Sequence, residues 1–280
     1  DPKGIAKGAT RFTKNPKELL IAEYAAKVIT GSPYYKEGFS FQTGTGGASL
    51  AATRFIREAM IKDGIKASFV LGGITNSMCE LLEEGLVEKV IDVQDFDHPS
   101  AISLANNANH YEIDASMYAN PLSKGSVINR LDVAILSALE VDTDFNVNCM
   151  TDSNGILMGA SGGHSDTAAG AKVTVITCPL IRGRLPMIRE RVETVITPGE
   201  SIDVLVTERG IAINPNRQDL IERFKDSNLP IYTIEELQQM AYDMVGKPEG
   251  IEVSQDPKDV VAIIEYRDGS IIDVVRKPLL

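Results

Sequence analysis

Chemistry in this 280-residue chain concentrates in two glycine-rich stretches and in the arginines downstream of them. In Gln42-Thr43-Gly44-Thr45-Gly46-Gly47-Ala48-Ser49, backbone N–H groups lie uncovered by any Cβ where a strand hands over to a helix. Such a turn, at the positive end of a helix, suits a phosphate, a carboxylate or a developing oxyanion. The spacing is not the dinucleotide GxGxxG, and no GKT or GKS P-loop occurs. A plain strand-to-helix turn accounts for the same glycines, so the pattern alone leaves both readings open. Gly159-Ala160-Ser161-Gly162-Gly163-His164-Ser165-Asp166 is more specific, because it sets one of only three histidines (His98, His110, His164) beside two glycines. His164 could donate to an anionic or carbonyl oxygen if a nearby carboxylate orients its ring, and Asp166 lies two residues on. The alternative is a packed turn around a hydrogen-bonded histidine.

Arg182, Arg184, Arg189 and Arg191 cluster in Ile181–Arg191. Guanidinium groups clamp carboxylates bidentately, although such a run also forms a solvated, salt-bridged face. Glu208-Arg209 follows an apolar run and precedes Gly210, where a parallel sheet presents its ligands. Glu208 can act there as a chemical group or as a structural partner for Arg209. Cys79, Cys149 and Cys178 form no CxxC pair and have no histidine at ligand spacing. They read as small buried hydrophobes in a reducing, cytoplasmic setting, with no metal site.

The elements that must position these groups alternate between strand and helix, which predicts an α/β fold with an open, mostly parallel sheet and flanking helices. Helices are expected over 16–31, 48–62, 77–85, 99–107, 220–225 and 234–245, and strands over 39–42, 67–71, 87–93, 173–177, 194–196 and 203–207. Residues 132–139 are apolar enough for a central strand, with helix left open by periodicity. Gly162-Gly163 and 168–171 read as one small-residue turn. Residues 260–266 and 270–275 form a hairpin across Arg267-Asp268-Gly269. Hydrophobic content of 43% and charged content of 24% are ordinary for a globular chain. The formal net charge of −11 argues against a nucleic-acid surface and means that an anionic ligand must be held locally, by arginine or backbone N–H groups. No stretch suits a membrane span or a signal peptide. No linker or repeat interrupts 1–280, which reads as one domain. The absence of an initiator Met suggests a start within a longer protein.

Ser137-Ala138-Leu139-Glu140-Val141-Asp142 with Asn146-Val147-Asn148, then Gly162-Gly163-His164-Ser165-Asp166, then Val206-Thr207-Glu208-Arg209-Gly210-Ile211-Ala212, resemble in order three motifs of the CoA-transferases. More narrowly, Gly8-Ala9-Thr10-Arg11, the 42–49 turn and Gly159–His164 resemble the alpha subunits of bacterial citrate lyase. That resemblance implies a sugar-isomerase-like CoA-transferase scaffold, with 1–280 the C-terminal half of a longer two-domain chain and 1–37 a connecting segment and first helix. It implies a transferase that exchanges acetate for citrate on a thioester. No cofactor would be tightly bound, because the thioester belongs to a CoA-like phosphopantetheine prosthetic group on an acyl carrier subunit. Its partners would be that carrier, a separate lyase subunit and the missing N-terminal domain. The rivals are an ordinary CoA-transferase or acyl-CoA hydrolase, and a noncatalytic metabolite-sensing domain.

One departure bears on mechanism. Many CoA-transferases use a glutamate nucleophile in the turn after the second strand, whereas Gly72-Gly73-Ile74-Thr75-Asn76-Ser77 places Asn76 there. An amide donates hydrogen bonds but cannot become an acyl anhydride. Ser153-Asn154-Gly155-Ile156 imitates the nucleophile motif in the wrong element. The expected site therefore has Asn76, His164 and Glu208 as catalytic candidates. Gly44, Thr45, Gly46, Gly47, Thr75, Ser161, Gly162, Gly163, Asp166 and Arg209 are the thioester- or substrate-binding candidates. Asn76 as a helix cap or turn residue stays open beside the catalytic reading, and the two glycine turns are expected to converge on one cavity.

Overall fold

The computed structural model describes residues 13–44 and 46–279, so Thr45 and the Gly8–Arg11 motif lie outside the described residues. Along the chain, helices alternate with strands: α1 (Pro16–Gly31), β1 (Phe39–Thr43), α2 (Gly47–Asp63), β2 (Ala67–Ile74), α3 (Asn76–Glu83), β3 (Val90–Asp95), α4 (His98–Asn106), β4 (His110–Glu112), α5 (Ala115–Ala119) and β5 (Val133–Ser137). Short strands β6 (Glu140–Asp142) and β7 (Val147–Asn148) precede α6 (His164–Gly170) and β8 (Val173–Thr177). Three two-residue strands follow, β9 (Ile181–Arg182), β10 (Leu185–Pro186) and β11 (Ile188–Arg189). The chain then runs through β12 (Val204–Val206), β13 (Ile211–Ile213), α7 (Gln218–Phe224), β14 (Ile231–Tyr232), α8 (Ile234–Val245), β15 (Val260–Glu265) and β16 (Ile271–Arg276). Two compact units result, one made of 1–136 with 170–174, the other of 137–169 with 175–280.

In the first unit the strands run in the order β5-β1-β2-β3-β4, and every pairing is parallel. Parallel strands buried on both faces need continuous apolar runs, and Val133-Ala134-Ile135-Leu136 is one, which settles 133–137 as a strand. The helix limits follow their caps. Asn15 accepts from the Lys17 amide ahead of Pro16, and α2 ends where Gly64 takes a φ of 67°, open to glycine at little cost. Phe39 and Phe41 stack at 5.4 Å and are fully buried with Ile21, Ile29, Ile56 and Met60. Asp132, at the foot of β5, accepts from the Ser40 amide at 2.9 Å and from Lys172 Nζ at 2.6 Å, so a buried carboxylate is fully partnered.

In the second unit β8 pairs parallel with β12, β12 antiparallel with β13, and β13 parallel with β14. The hairpin β15–β16 turns at Gly269, as Asp-Gly predicts, and its Ile264 and Val275 pack on Ile196. Two expectations fail here. Residues 194–196 form no strand, because the Val195 amide is held by Asp273 Oδ2 at 2.7 Å and is lost to any ladder. Ala168–Gly170 is helix, not turn, in keeping with alanine's propensity.

Candidate functional site

Because β1 and β2 are parallel neighbours, their carboxyl ends deliver two turns to one edge of the first unit's sheet. In the first turn the Gly44 amide is already used, donating to Ile135 O at 2.8 Å. Gly46 is the N-cap of the 17-residue α2 and, as a glycine, supplies no side-chain cap of its own. Gly47 stands close to the tip of a glutamate: a Cβ there would lie 2.5 Å from Glu18 Oε2, which would have to swing aside. The Glu18 carboxylate thus sits at the positive end of α2, the position that favours an anion.

At the second turn Thr75 is the N-cap of α3, its hydroxyl 2.9 Å from Ser77 Oγ. Asn76 is the first helical residue, not the cap. Its amide donates to Asp97 Oδ2 at 2.9 Å, and its side-chain Nδ2 donates to Glu80 Oε1 at 2.7 Å across one exposed turn of helix. Asp97, which the sequence pattern does not single out, caps α4 through Ser100 with its other oxygen and so fixes two helix starts at once. An Asp-x-x-Ser ahead of a helical run is the signal that would have found it. Gly72, at a φ of 108°, lets Gln42 lie against β2, where Gln42 Nε2 donates to Tyr118 Oη at 3.0 Å.

In the second unit Gly162 takes a φ of 53°, and the turn leads into α6 at His164. The Gly163 carbonyl accepts from Thr167 N and Oγ1, and the Ser161 carbonyl from the His164 amide. His164 is buried, with Nε2 3.1 Å from Ser137 O and Nδ1 2.7 Å from Thr197 Oγ1. A carbonyl only accepts, so Nε2 carries the proton and Thr197 donates to Nδ1. Burial pushes the ring down to about 4, which keeps it neutral at neutral pH. Asp166 does not orient this ring as expected; it pairs with Arg267 at 3.2 Å, and burial raises its carboxyl against that cation. Glu208 is not the partner of Arg209 either: its Oε2 accepts from the Leu180 amide at 2.8 Å, while Arg209 is exposed.

Within the arginine run, Arg189 is occupied by Glu140. Its Nε and Nη2 each lie 3.0 Å from Glu140 Oε1, and the two side chains are 12% and 2% exposed. Ser153 Oγ adds a bond to the same oxygen at 2.8 Å, giving the imitation nucleophile motif a structural task. Glu140 stood inside an apolar run, and a buried carboxylate demands such partners. Arg191, exposed, helps line an adjoining cleft of about 250 Å³ with Tyr242 and Lys247. Burial raises the three cysteine thiols to about 12, so none is a ready thiolate. No helix among the described residues is long and apolar enough to cross a membrane.

Comparison with known proteins gives this arrangement a family. The family profile described as citrate lyase, alpha subunit, matches residues 1–278. The citrate lyase alpha chain of Klebsiella pneumoniae is 59% identical over 277 residues, 99% of this chain and 54% of that one. A Streptococcus mutans structure, described as a citrate lyase alpha subunit in complex with citrate, is 70% identical and superposes at a TM-score of 0.96, over 100% of this chain and 55% of that one. A 4-hydroxybutyrate CoA-transferase of Porphyromonas gingivalis shares the fold at 20% identity and a TM-score of 0.53, over 84% of this chain and 57% of that one. The chain spans about half the length of the curated relatives it matches. With the profile matching from the first residue almost to the last, this chain belongs to the citrate lyase alpha subunit family.

Proposed function

We propose that the chain is part of a citrate:acyl-carrier-protein transferase, exchanging acetate for citrate on a carrier-bound thioester. The observation that carries this reading is the pair of helix starts, Gly46-Gly47 and Thr75-Asn76, at the carboxyl ends of adjacent parallel strands. The citrate bound in the Streptococcus mutans relative supports the choice of acid. In this proposal a citrate carboxylate attacks the acetyl thioester, breaking the carbon–sulfur bond and leaving a citryl-acetyl anhydride and a thiolate. The thiolate then attacks the citryl carbonyl, so that acetate leaves and a citryl thioester remains. Both steps pass through a tetrahedral oxyanion, which the leading amides of α2 and Asn76 Nδ2 would stabilise. The bond from Asn76 to Glu80 lies at the surface and is readily exchanged for one to substrate. Thr75 within the first unit, and Arg209 with the turn at Ser161–Gly163 within the second, are proposed as substrate contacts. His164 braces that second turn through its two hydrogen bonds.

The substrate sulfur belongs to a CoA-like prosthetic group on a separate acyl carrier subunit, and a lyase subunit would consume the product. In the same proposal 1–280 acts as one CoA-transferase-like domain, the C-terminal half of a two-domain chain. The test is exchange of labelled citrate into acetylated carrier protein by the full-length chain, with borohydride or hydroxylamine present to trap any enzyme-bound acyl group. Loss of one oxyanion donor costs roughly 10²–10³ in turnover, so Asn76→Ala is expected to fall by that factor while no glutamate is modified. A modified glutamate from active enzyme defeats the direct route. Full exchange by Asn76→Ala removes Asn76 from the mechanism.

A further inference from the structure

At the far edge of the first unit's sheet, three side chains unconnected to the proposed transfer site converge. Val90 of β3 pairs with His110 of β4, so Asp92, two residues on, is the diagonal neighbour of His110 on the same face. The register of β3 against β2 then skips one residue, with Gly72 opposite Asp92 and Gly73 opposite Gln94. That bulge reverses the alternation of sides, and Asp95 turns to join Asp92. One ligand atom from each of Asp92, Asp95 and His110 falls within 4.8 Å of the others.

Acidic groups gather on many proteins without consequence, but two of these three side chains are almost wholly enclosed. The side chains of His110 and Asp92 are 0% and 2% exposed. Asp92 Oδ2, Asp95 Oδ1 and His110 Nε2 are buried atoms to which no protein group makes a hydrogen bond. His110 Nε2 and Asp92 Oδ2 stand 3.3 Å apart without hydrogen-bond geometry. A cation holding two such atoms at about 2.1 Å sets them roughly 3.0–3.4 Å apart at octahedral to tetrahedral angles. The outer contacts also suit ligation. His110 Nδ1 lies 3.1 Å from Ser103 Oγ, to which it can donate, leaving the Nε2 lone pair turned inward. Asp92 Oδ1 accepts from the Gln94 amide at 2.7 Å, which fixes the carboxylate and leaves Oδ2 facing the histidine.

We infer that Asp92, Asp95 and His110 form a binding site for one divalent first-row cation, built on the bulge of β3. One imidazole and two carboxylates are borderline-to-hard ligands, which suits manganese(II) or zinc(II). The cation ties β3 to β4 at the far edge of this sheet. Its role is structural, and its existence does not depend on the transfer reaction.

The test takes the full-length chain purified without chelator. Metal content, MnCl2 and ZnCl2 titration calorimetry, and melting with and without EDTA are the readouts. One equivalent of cation is expected, with a melting temperature lowered by EDTA and restored by either salt. Asp95 is only half-buried, so Asp95→Asn is the variant expected to fold, and it should weaken binding at least about tenfold. His110→Gln, if it folds, should do the same. Failure of the wild-type chain to take up manganese or zinc, with melting indifferent to EDTA, overturns the site. Uptake with undiminished affinity in Asp95→Asn overturns the ligand assignment.

Discussion

His164 shows how one residue type can serve two opposite chemistries. A histidine that donates to substrate near neutral pH needs an exposed or carboxylate-paired ring, whereas this one is enclosed and bonded at both nitrogens within the protein. Its sign follows from linkage. The folded ring titrates near 4 and the unfolded ring near its ordinary value of 6.5, so between those limits the unfolded chain binds the extra proton. Stability from this group is complete above about pH 6.5 and falls as the pH drops toward 4, by an amount on the order of 3 kcal/mol. Urea midpoints measured from pH 7 to 4 should therefore decline more steeply in the wild-type chain than in His164→Asn. Parallel slopes would show that the ring is not the titrating group. In the sequence the histidine beside two glycines was legible, but its partners were not. Ser137 and Thr197 lie far from it along the chain, and only the fold brings them to the ring. The same holds for Asp92, Asp95 and His110, whose meeting requires a bulge and a parallel partner strand that spacing does not reveal.

At the scale of elements, legibility followed local physics. Asn15-Pro16 and Gly64 bound their helices because capping and left-handed φ are properties of a few neighbouring residues. The failed strand over 194–196 had the right apolar residues and lost its ladder to a distant aspartate, Asp273. Close by, Phe145 adopts a φ of 64° while fully packed, an uncommon state for a bulky residue, and Asp142 Oδ1 holds the turn by accepting from the Asp144 and Asn146 amides. Asn146 in turn accepts from the Gly199 amide at 2.9 Å. A Cβ on Gly199 would sit 1.9 Å from the Asp144 carbonyl oxygen, and backbone cannot swing aside as a side chain can. Gly199→Ala is therefore expected to destabilise the protein by about 2–3 kcal/mol, by forcing this turn apart. At Gly73 the clash is with the ring of half-buried Phe96, which can rotate, so Gly73→Ala should cost less. Denaturant unfolding of both variants decides the order; equal losses would mean that the Phe145 turn yields as easily as a side chain.

For the molecule as a whole, the division into units escaped a reading by composition because no linker marks it. The boundaries fall within β5, α6 and β8, and the first unit is completed by 170–174, residues that follow 33 positions of the second, 137–169. Those five residues are deeply tied into the first unit. The Lys172 amide donates to Leu131 O and the Val173 amide to Asp132 O. Lys172 Nζ reaches Asp132 at 2.6 Å and stands over the Tyr34 ring at 5.8 Å. Gly170 lies so close to Ile128 that a Cβ would meet its side chain at 2.5 Å. Removing the segment strips the ammonium partner from a buried carboxylate and uncovers the apolar edge of β5. Losing one partner of such a pair costs roughly 3–5 kcal/mol where the pair is fully buried, and less here because the lysine is half exposed. Two orphaned carbonyls add about 1–3 kcal/mol each if they stay dry. Against a total stability of about 5–15 kcal/mol for a typical domain, these losses are decisive. A fragment ending at residue 136 is accordingly expected to give no cooperative urea transition by circular dichroism, although it keeps all of the parallel array but the last residue of β5. A sharp transition at the midpoint of the intact chain would mean that 170–174 is an ornament on the first unit and that the unit's stability resides wholly in the strands before it.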